Sequence, residues 1–475
     1  MSARTKVPDT YQVRNRDELI FLLTEAAELE HMLCLQYLFA AFTLKVEESE
    51  GVTQEELIHM NDWVQTLLLV ARQEMVHLGL ANNLLTSIGG SPHFRRPNFP
   101  QPSKYFPFPM ELRRFSEKTI KRFICYERPS WVDPAAAFCA PTSGQKKDAG
   151  GSDGISPRPV PYETVGELYG IIRKAFETMD EGLLFVGPPT AQVGGDTLHL
   201  NFPTAGMSGI YDMMVLPVLD RQTALRVIDE IVEEGEGTHY PHDVQEIVRQ
   251  IDKDAPKDIE KYLKKKLVSE ALFAEVEAVL ATQAESHYAR FKDVLADLQA
   301  MKKKRKGFDP ARAVVANPVL YEHPDVNMAK ATVITHPDTR DVLDVSNAAY
   351  ETMMLLLARF YAHTDETDEE LSALNYAVFY PMMTMVTRPL SEVLTDMPAF
   401  KEVTEERAGP SFEQFPSVHF LPHKESAWMV LHERLDQIAD RCEELGRRKG
   451  VPDRMSYIGR NVKTLAIKFK HKLES

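Results

Sequence analysis

Glu74 and His77 are the residues of this 475-residue chain whose types and spacing most plainly suit metal chemistry. They lie in Leu67-Leu68-Leu69-Val70-Ala71-Arg72-Gln73-Glu74-Met75-Val76-His77-Leu78. Around them Leu57, Met60, Val64, Leu67, Ala71, Leu78, Ala81 and Leu85 recur at helical steps of three and four. Continuing that rhythm across the gap between Ala71 and Leu78 puts Glu74 on the inward line, with His77 one turn further along the same face. A carboxylate aimed into hydrocarbon costs several kcal/mol unless something neutralises it. A divalent cation does so directly, and Glu-x-x-His on an inward helix face is the ligand pattern of carboxylate di-metal sites in four-helix bundles. A Glu–His pair satisfied by a neighbouring Arg is the plainer alternative, so the rest of the chain must supply further ligands.

The elements that would position such a site can be read from periodicity. Residues 17–46 form a long helix, with Asp17 as its N-cap and Leu19, Leu22, Leu23, Ala26, Glu30, Leu33, Tyr37, Ala40, Ala41 and Leu44 on one face. Glu30 interrupts that stripe as Glu74 interrupts the second; Glu25 and Glu28 fall off it and read as solvated, and His31 flanks it. Thr53-Gln54-Glu55-Glu56 opens helix two with a capping box, and Gly89-Gly90 closes it. Residues 92–131 are rich in Pro and aromatics with a short helix near 116–126; with an extension at 139–160 they read as a crossover serving as lid or substrate wall. Helix three opens at Thr164-Val165-Gly166-Glu167, where Glu167 sits one turn before Ile171 and can face inward. Helix four, about Arg221–Glu236, lines up Leu225, Ile228, Val232 and Glu236. A fifth, about Val268–Ala300, carries His287 on its apolar stripe.

The inventory is therefore Glu30, Glu74, His77, Glu167, Glu236 and His287: four carboxylates and two imidazoles. Two divalent ions need carboxylates to bridge and neutralise them and one imidazole each. Glu236-Gly237-Thr238-His239 also spells Glu-x-x-His, but His239 falls beyond two glycines and close to Pro241, so His287 is preferred and His239 is the runner-up. No catalytic residue beyond the ligands is assigned. Tyr37, one helical repeat past Glu30, reads equally as pocket lining or core.

Composition sets the outer bounds. Hydrophobic content of 44% and charged content of 26% describe a globular chain, and a net charge of −15 disfavours nucleic acid or an anionic membrane as partner. The four cysteines form no CxxC and suggest neither a zinc ribbon nor a disulfide framework. No apolar run reaches the ~18 residues of a membrane helix, and the N-terminus has no apolar signal region, so a cytoplasmic location is expected. The division is 1–300 for a metal domain, 301–340 for a Pro-rich linker and 341–475 for a helical C-terminal region, in which the basic residues 446–475 read as a short helical tail. The faces led by Met353, Met354 and Leu357, and by Phe379, Met382 and Met383, are too apolar to be left in water, which suggests a docked region.

Several stretches also resemble a known family. Glu28-Leu29-Glu30-His31, Gln36-Tyr37-Leu38-Phe39-Ala40-Ala41-Phe42, Gln73-Glu74-Met75-Val76-His77-Leu78, Ile88-Gly89-Gly90-Ser91-Pro92, Thr164-Val165-Gly166-Glu167-Leu168-Tyr169, Glu234-Gly235-Glu236-Gly237 and Ser286-His287-Tyr288-Ala289-Arg290-Phe291 are similar to the ferritin-like domain of iminophenyl-pyruvate dimer synthases. That family includes the chromopyrrolate-forming enzymes of violacein- and rebeccamycin-type pathways, which are much longer chains. The resemblance covers about residues 15–295 and favours His287 over His239. It implies an all-α, ferritin-like four-helix bundle with long crossover insertions plus a C-terminal helical region. It further implies two iron ions (Fe2+, with manganese the alternative) and a non-haem oxidoreductase acting with O2 on a small organic substrate such as an amino-acid-derived imine. Expected partners are that small molecule and O2, with neither nucleic acid nor membrane; a homodimer is left open. The competing readings are an iron-storage or ferroxidase protein and a non-catalytic pathway scaffold with a vestigial site.

Overall fold

The computed structural model describes residues 11–474 except 102–105, 107, 131, 136, 140–155, 159, 161, 194–214, 237–285, 363, 403–404 and 416–421. Its first half is built on the hairpin of α1 (Arg16–Phe42) and α2 (Gln54–Ser87), which pack along each other. Asn15, not Asp17, caps α1 by accepting from the Glu18 N–H, which leaves Asp17 inside the first turn. The helix stops at Phe42 and not at 46 because the backbone beyond it pairs with a distant segment: Lys45 N–H donates to Pro310, and Arg312 N–H to Thr43. The Thr53–Glu56 capping box opens α2, and Gly89 takes the left-handed conformation just after its end.

α3 (Glu117–Tyr126), α4 (Val165–Thr178), the one-turn α5 (Glu181–Leu184), α6 (Arg221–Glu236) and α7 (His287–Lys304) complete this half. α4 packs on α6 and α1, and α7 packs on α3, α2 and α6. Residues 268–285, expected to begin the helix of His287, lie outside the described residues, as do His239 and most of the 139–160 extension.

The aromatic crossover departs from the expectation of a lid. Phe94, Phe99, Phe106, Phe108, Met110, Leu112 and Phe115 are all buried, so this segment is a packed layer of the core. It is fixed to the C-terminal region by Arg96 donating to the Phe412 carbonyl, Gln414 to Phe94 and Asn98 to Gln414. From Glu25 to Tyr37 every residue of α1 is consequently buried, and 21 of its 27 residues are buried in all. Glu25 and Glu28, expected in water, are instead buried: Tyr162 donates to Glu25 at 2.8 Å, and His93 lies 3.0 Å from Glu28. His31 is buried too, with Nε2 2.6 Å from the Tyr350 hydroxyl.

Beyond α7 the chain lies along the bundle, Asn317 N–H donating to Leu112, and a two-residue parallel pair joins β1 (Pro318–Val319) to β2 (Thr332–Val333). The helices α8 (Pro337–Tyr361), α9 (Asp368–Ala377), α10 (Arg388–Leu394), α11 (Lys424–Leu445) and α12 (Arg454–Glu474) follow. A π-helical segment, Val378–Thr387, contains Pro381, whose missing N–H breaks the α-ladder. Met353, Met354, Leu357, Phe360 and Tyr361 are buried, and α10 touches α1. The 446–475 stretch is helical as expected but longer and packed: α12 runs 21 residues, and Met455, Ile458, Val462, Leu465, Ala466 and Phe469 bury one face. A disulfide joins Cys125 and Cys139 across the turn that follows α3, a pairing their spacing does not signal, while Cys34 and Cys442 are buried thiols. No helix among the described residues is long and apolar enough to cross a membrane.

Candidate metal centre

Glu30 from α1 and Glu74 and His77 from α2 meet in the core, each about 1% exposed. The Nδ1 of His77 lies 3.3 Å from Glu74 Oε2 and 3.8 Å from Glu30 Oε2. On the other side of Glu74 stands His287, the first residue of α7, held at the helix start by the Ser286 cap. Its Nδ1 is 2.9 Å from Glu74 Oε1 and 3.6 Å from Glu127 Oε2. Two triads result, Glu30–Glu74–His77 and Glu74–Glu127–His287, with ligand atoms in each within 4.8 Å of one another and Glu74 common to both.

Hydrogen bonds from outside the triads orient the carboxylates. Tyr169 donates to Glu30 Oε1 at 2.6 Å, and Tyr37 donates to Glu127 Oε1, so each flanking carboxylate has one oxygen held and the other turned inward. Tyr37 thus has a defined contact with the site, a role that its sequence position left undecided. Glu236, the last residue of α6, lines the same small cavity as Glu30, Glu74, His77 and Glu127. Its Oε1 accepts from the Gly166 N–H at 2.8 Å, and a Cβ at position 166 would overlap its carboxylate, so the glycine admits it. Leu33, Val165, Ile231 and Val232 form the apolar part of the wall.

Glu167 does not join this group. It sits in the first turn of α4, where its carboxylate accepts from the Glu163 N–H at 2.7 Å and its own N–H bonds the Thr164 cap. The Thr-x-x-Glu spacing that placed it one turn before Ile171 is here a helix-start signal. Two acids not picked out from the sequence take part instead. Glu127, just past the end of α3, extends the stripe Ile120, Phe123, Ile124 by one step, a signal present in the sequence but lying in a segment read as a connection. Glu234 reaches His77 Nε2 at 3.0 Å, and its proximity to Glu236 in α6 is its only sequence signal.

The donor set fits divalent metal. His287 is fully buried, and neither of its ring nitrogens has a hydrogen-bond partner among the described residues; the same is true of Glu74 Oε1. Buried polar atoms without partners are rare and call for a physical cause. Here His287 Nδ1 and Glu74 Oε1 lie 2.9 Å apart, out of line for a hydrogen bond but close enough to pair as charges, so both atoms can serve a shared centre. The charges agree. Burial pushes the Glu30 carboxyl up to about 7 and that of Glu236 up to about 8. Burial alone would lower His287, but the Glu74 carboxylate beside it overrides that and holds it up at about 9. Burial and Glu127 push Glu74 up, yet the His287 and His77 imidazoles outweigh them and hold it below its usual range. Without a cation the cluster holds protons that metal binding would release.

Beside the cluster, between α2, α6 and α7, opens a cavity of about 610 Å³ lined in part by Gln73, Leu225, Arg226, Glu230, Glu234 and Arg290. Glu234 is therefore shared between the cavity wall and the hydrogen bond to His77.

The chain is similar to several known proteins. A family model described as Ferritin-like matches residues 23–296. The chain is 26% identical over 490 residues to dichlorochromopyrrolate synthase of Lentzea aerocolonigenes, covering 96% of this chain and 41% of that protein. It is 23% identical over 423 residues to 2-imino-3-(indol-3-yl)propanoate dimerase of Chromobacterium violaceum, covering 84% of this chain and 34% of that one. The chain thus spans well under half the length of either curated relative. A ferritin-like protein of Caulobacter vibrioides, known from its crystal structure, aligns at 14% identity with a TM-score of 0.42, over 78% of this chain and 97% of its own.

Proposed function

The chain belongs to the ferritin-like family, and on that premise we propose that the buried cluster is a two-metal centre of a non-haem oxidoreductase. The metal is iron, with manganese the alternative, and the reaction uses O2 to oxidise a small organic substrate. The observation that carries this reading is the pair of buried triads sharing Glu74. The curated relatives are biosynthetic enzymes, which supports a pathway role, and the name of one denotes dimerisation of an indole-bearing imino acid. An amino-acid-derived imine is the substrate class we assign on that support.

When bound, two divalent ions would supply redox equivalents and a place for O2 to react. The protein's part follows from its own residues. Glu30, Glu74 and His77 in one triad and Glu74, Glu127 and His287 in the other would hold the ions. Tyr169 and Tyr37 fix the flanking carboxylates, so little reorganisation is needed on loading. Leu33, Val165, Ile231 and Val232 exclude water, which strengthens every charge interaction inside. The cavity of about 610 Å³ has the size of a small-molecule site and adjoins the cluster.

The test is oxygen uptake. Protein loaded anaerobically with Fe(II) should consume O2 faster than the same Fe(II) in buffer, and Glu127→Ala should fall to the buffer rate. Equal uptake with and without the protein would remove the O2 reading. Accumulation of many irons per chain would favour storage instead.

A further inference from the structure

The two imidazoles of the cluster both turn Nδ1 towards Glu74, but they are supported differently. His77 Nε2 lies 3.0 Å from Glu234 Oε2, whereas His287 Nε2 has no hydrogen-bond partner among the described residues. A neutral imidazole that donates Nε2–H to a carboxylate is fixed in the tautomer whose lone pair sits on Nδ1, the nitrogen facing Glu30 and Glu74. The carboxylate also stops the ring from turning about its own bond and makes Nδ1 a stronger donor. Glu234 comes from α6, a helix that contributes none of the atoms of the two triads, so this link ties α6 to α2 at the centre. It does not belong to either triad itself, and its side chain is 35% exposed. A second ligand role is therefore less economical than an orienting one.

We infer that Glu234 is a positioning residue: it holds His77 in the tautomer and orientation that direct Nδ1 at one of the two metal positions. This rests on the two-metal reading above. Its effect falls on the Glu30–Glu74–His77 half, because Glu234 bonds His77 directly and meets His287 only through charge. The other side of the Glu234 carboxylate faces the open cavity, so its removal exposes space to solvent and leaves the packed core intact.

The experiment is a Co(II) titration of the metal-free full chain, followed by the visible absorption of the bound ion, for wild type, Glu234→Ala and Glu234→Gln. Melting temperature of the metal-free form serves as the control for folding. Wild type should take two equivalents. Glu234→Ala should keep one equivalent at wild-type affinity and weaken the other by about 10- to 100-fold, with an altered band for that ion and an unchanged melting temperature. Glu234→Gln, whose amide oxygen can accept the same Nε2–H, should recover most of the affinity and the band. Glu234→Ala titrating like wild type would overturn the positioning role while leaving the metal reading intact. Loss of a whole equivalent in both variants would also overturn it, by making Glu234 a ligand. Wild type that binds no Co(II) would overturn the metal reading and the positioning role with it.

Discussion

Two buried carboxylates in this protein have opposite surroundings. Glu413, in the irregular segment after α10, is 1% exposed and saturated with donors: Leu320 N–H at 3.0 Å, Asn347 Nδ2 at 2.7 Å, Ser411 Oγ at 2.5 Å and His323 Nε2 at 2.9 Å. Glu74 is equally buried, but among the described residues no hydrogen bond reaches Oε1, whose neighbour is the His287 imidazole at 2.9 Å. The first is an acid whose desolvation is offset by a complete set of hydrogen bonds, and it ties the segment just after β1, α8 and the 411–414 segment together. The second is offset by two neighbouring imidazoles acting as charges, not by a complete set of hydrogen bonds. Burial by itself does not separate a structural acid from a functional one; the accounting of its partners does.

That contrast is sharpest in mutants. Glu413→Ala strands several buried donors and should cost about 3–5 kcal/mol of stability, while metal content stays at the wild-type level in the folded fraction. Chemical denaturation alongside metal analysis checks both halves of the expectation. A Glu413→Ala protein of normal stability would mean that the bonded knot is incidental; one that also lost metal would erase the distinction drawn here.

A smaller effect should appear with pH, on the metal-free protein. Glu30 and Glu236 hold their protons up to about 7 and about 8 in the fold, above the ordinary glutamate value of 4.5, and His287 holds its proton to about 9. In that window the folded state binds more protons than the unfolded one, so stability falls as pH rises from about 5 to 9. Metal replaces those protons, so saturating Mn(II) should flatten the decline and its affinity should rise across the same range. Melting temperatures measured with and without Mn(II) test this. A metal-free protein whose stability is level or increasing between pH 5 and 9 would show that the cluster is not under the charge stress described.

The same contrast explains what was legible in the sequence. Glu30, Glu74, Glu236 and His287 could be read because each interrupts an apolar stripe on a regular helix, and the structure places all four at the cluster. Glu127 follows the same rule on α3 but lies in a stretch whose Pro and aromatic content reads as a connection. Glu234 sits two residues from Glu236, off its line, and its partner lies 157 residues away. Glu167 satisfied the spacing for a reason of its own, a helix cap. Glu25, Glu28 and His31 mark the limit of periodicity on α1: from Glu25 to Tyr37 the helix is buried all round, with no solvent face against which a buried charge stands out. Glu413 was invisible because it lies outside any regular element, where burial depends wholly on tertiary contacts.

The central claim is that Glu74 is shared by two metal ions, and elemental analysis of purified protein tests it most directly. Wild-type chain supplied with iron during expression should carry two metal ions, and Glu74→Ala, folded to the same melting temperature without metal, should show a marked loss. Wild type with metal no higher than background, or Glu74→Ala with the wild-type complement, would contradict it.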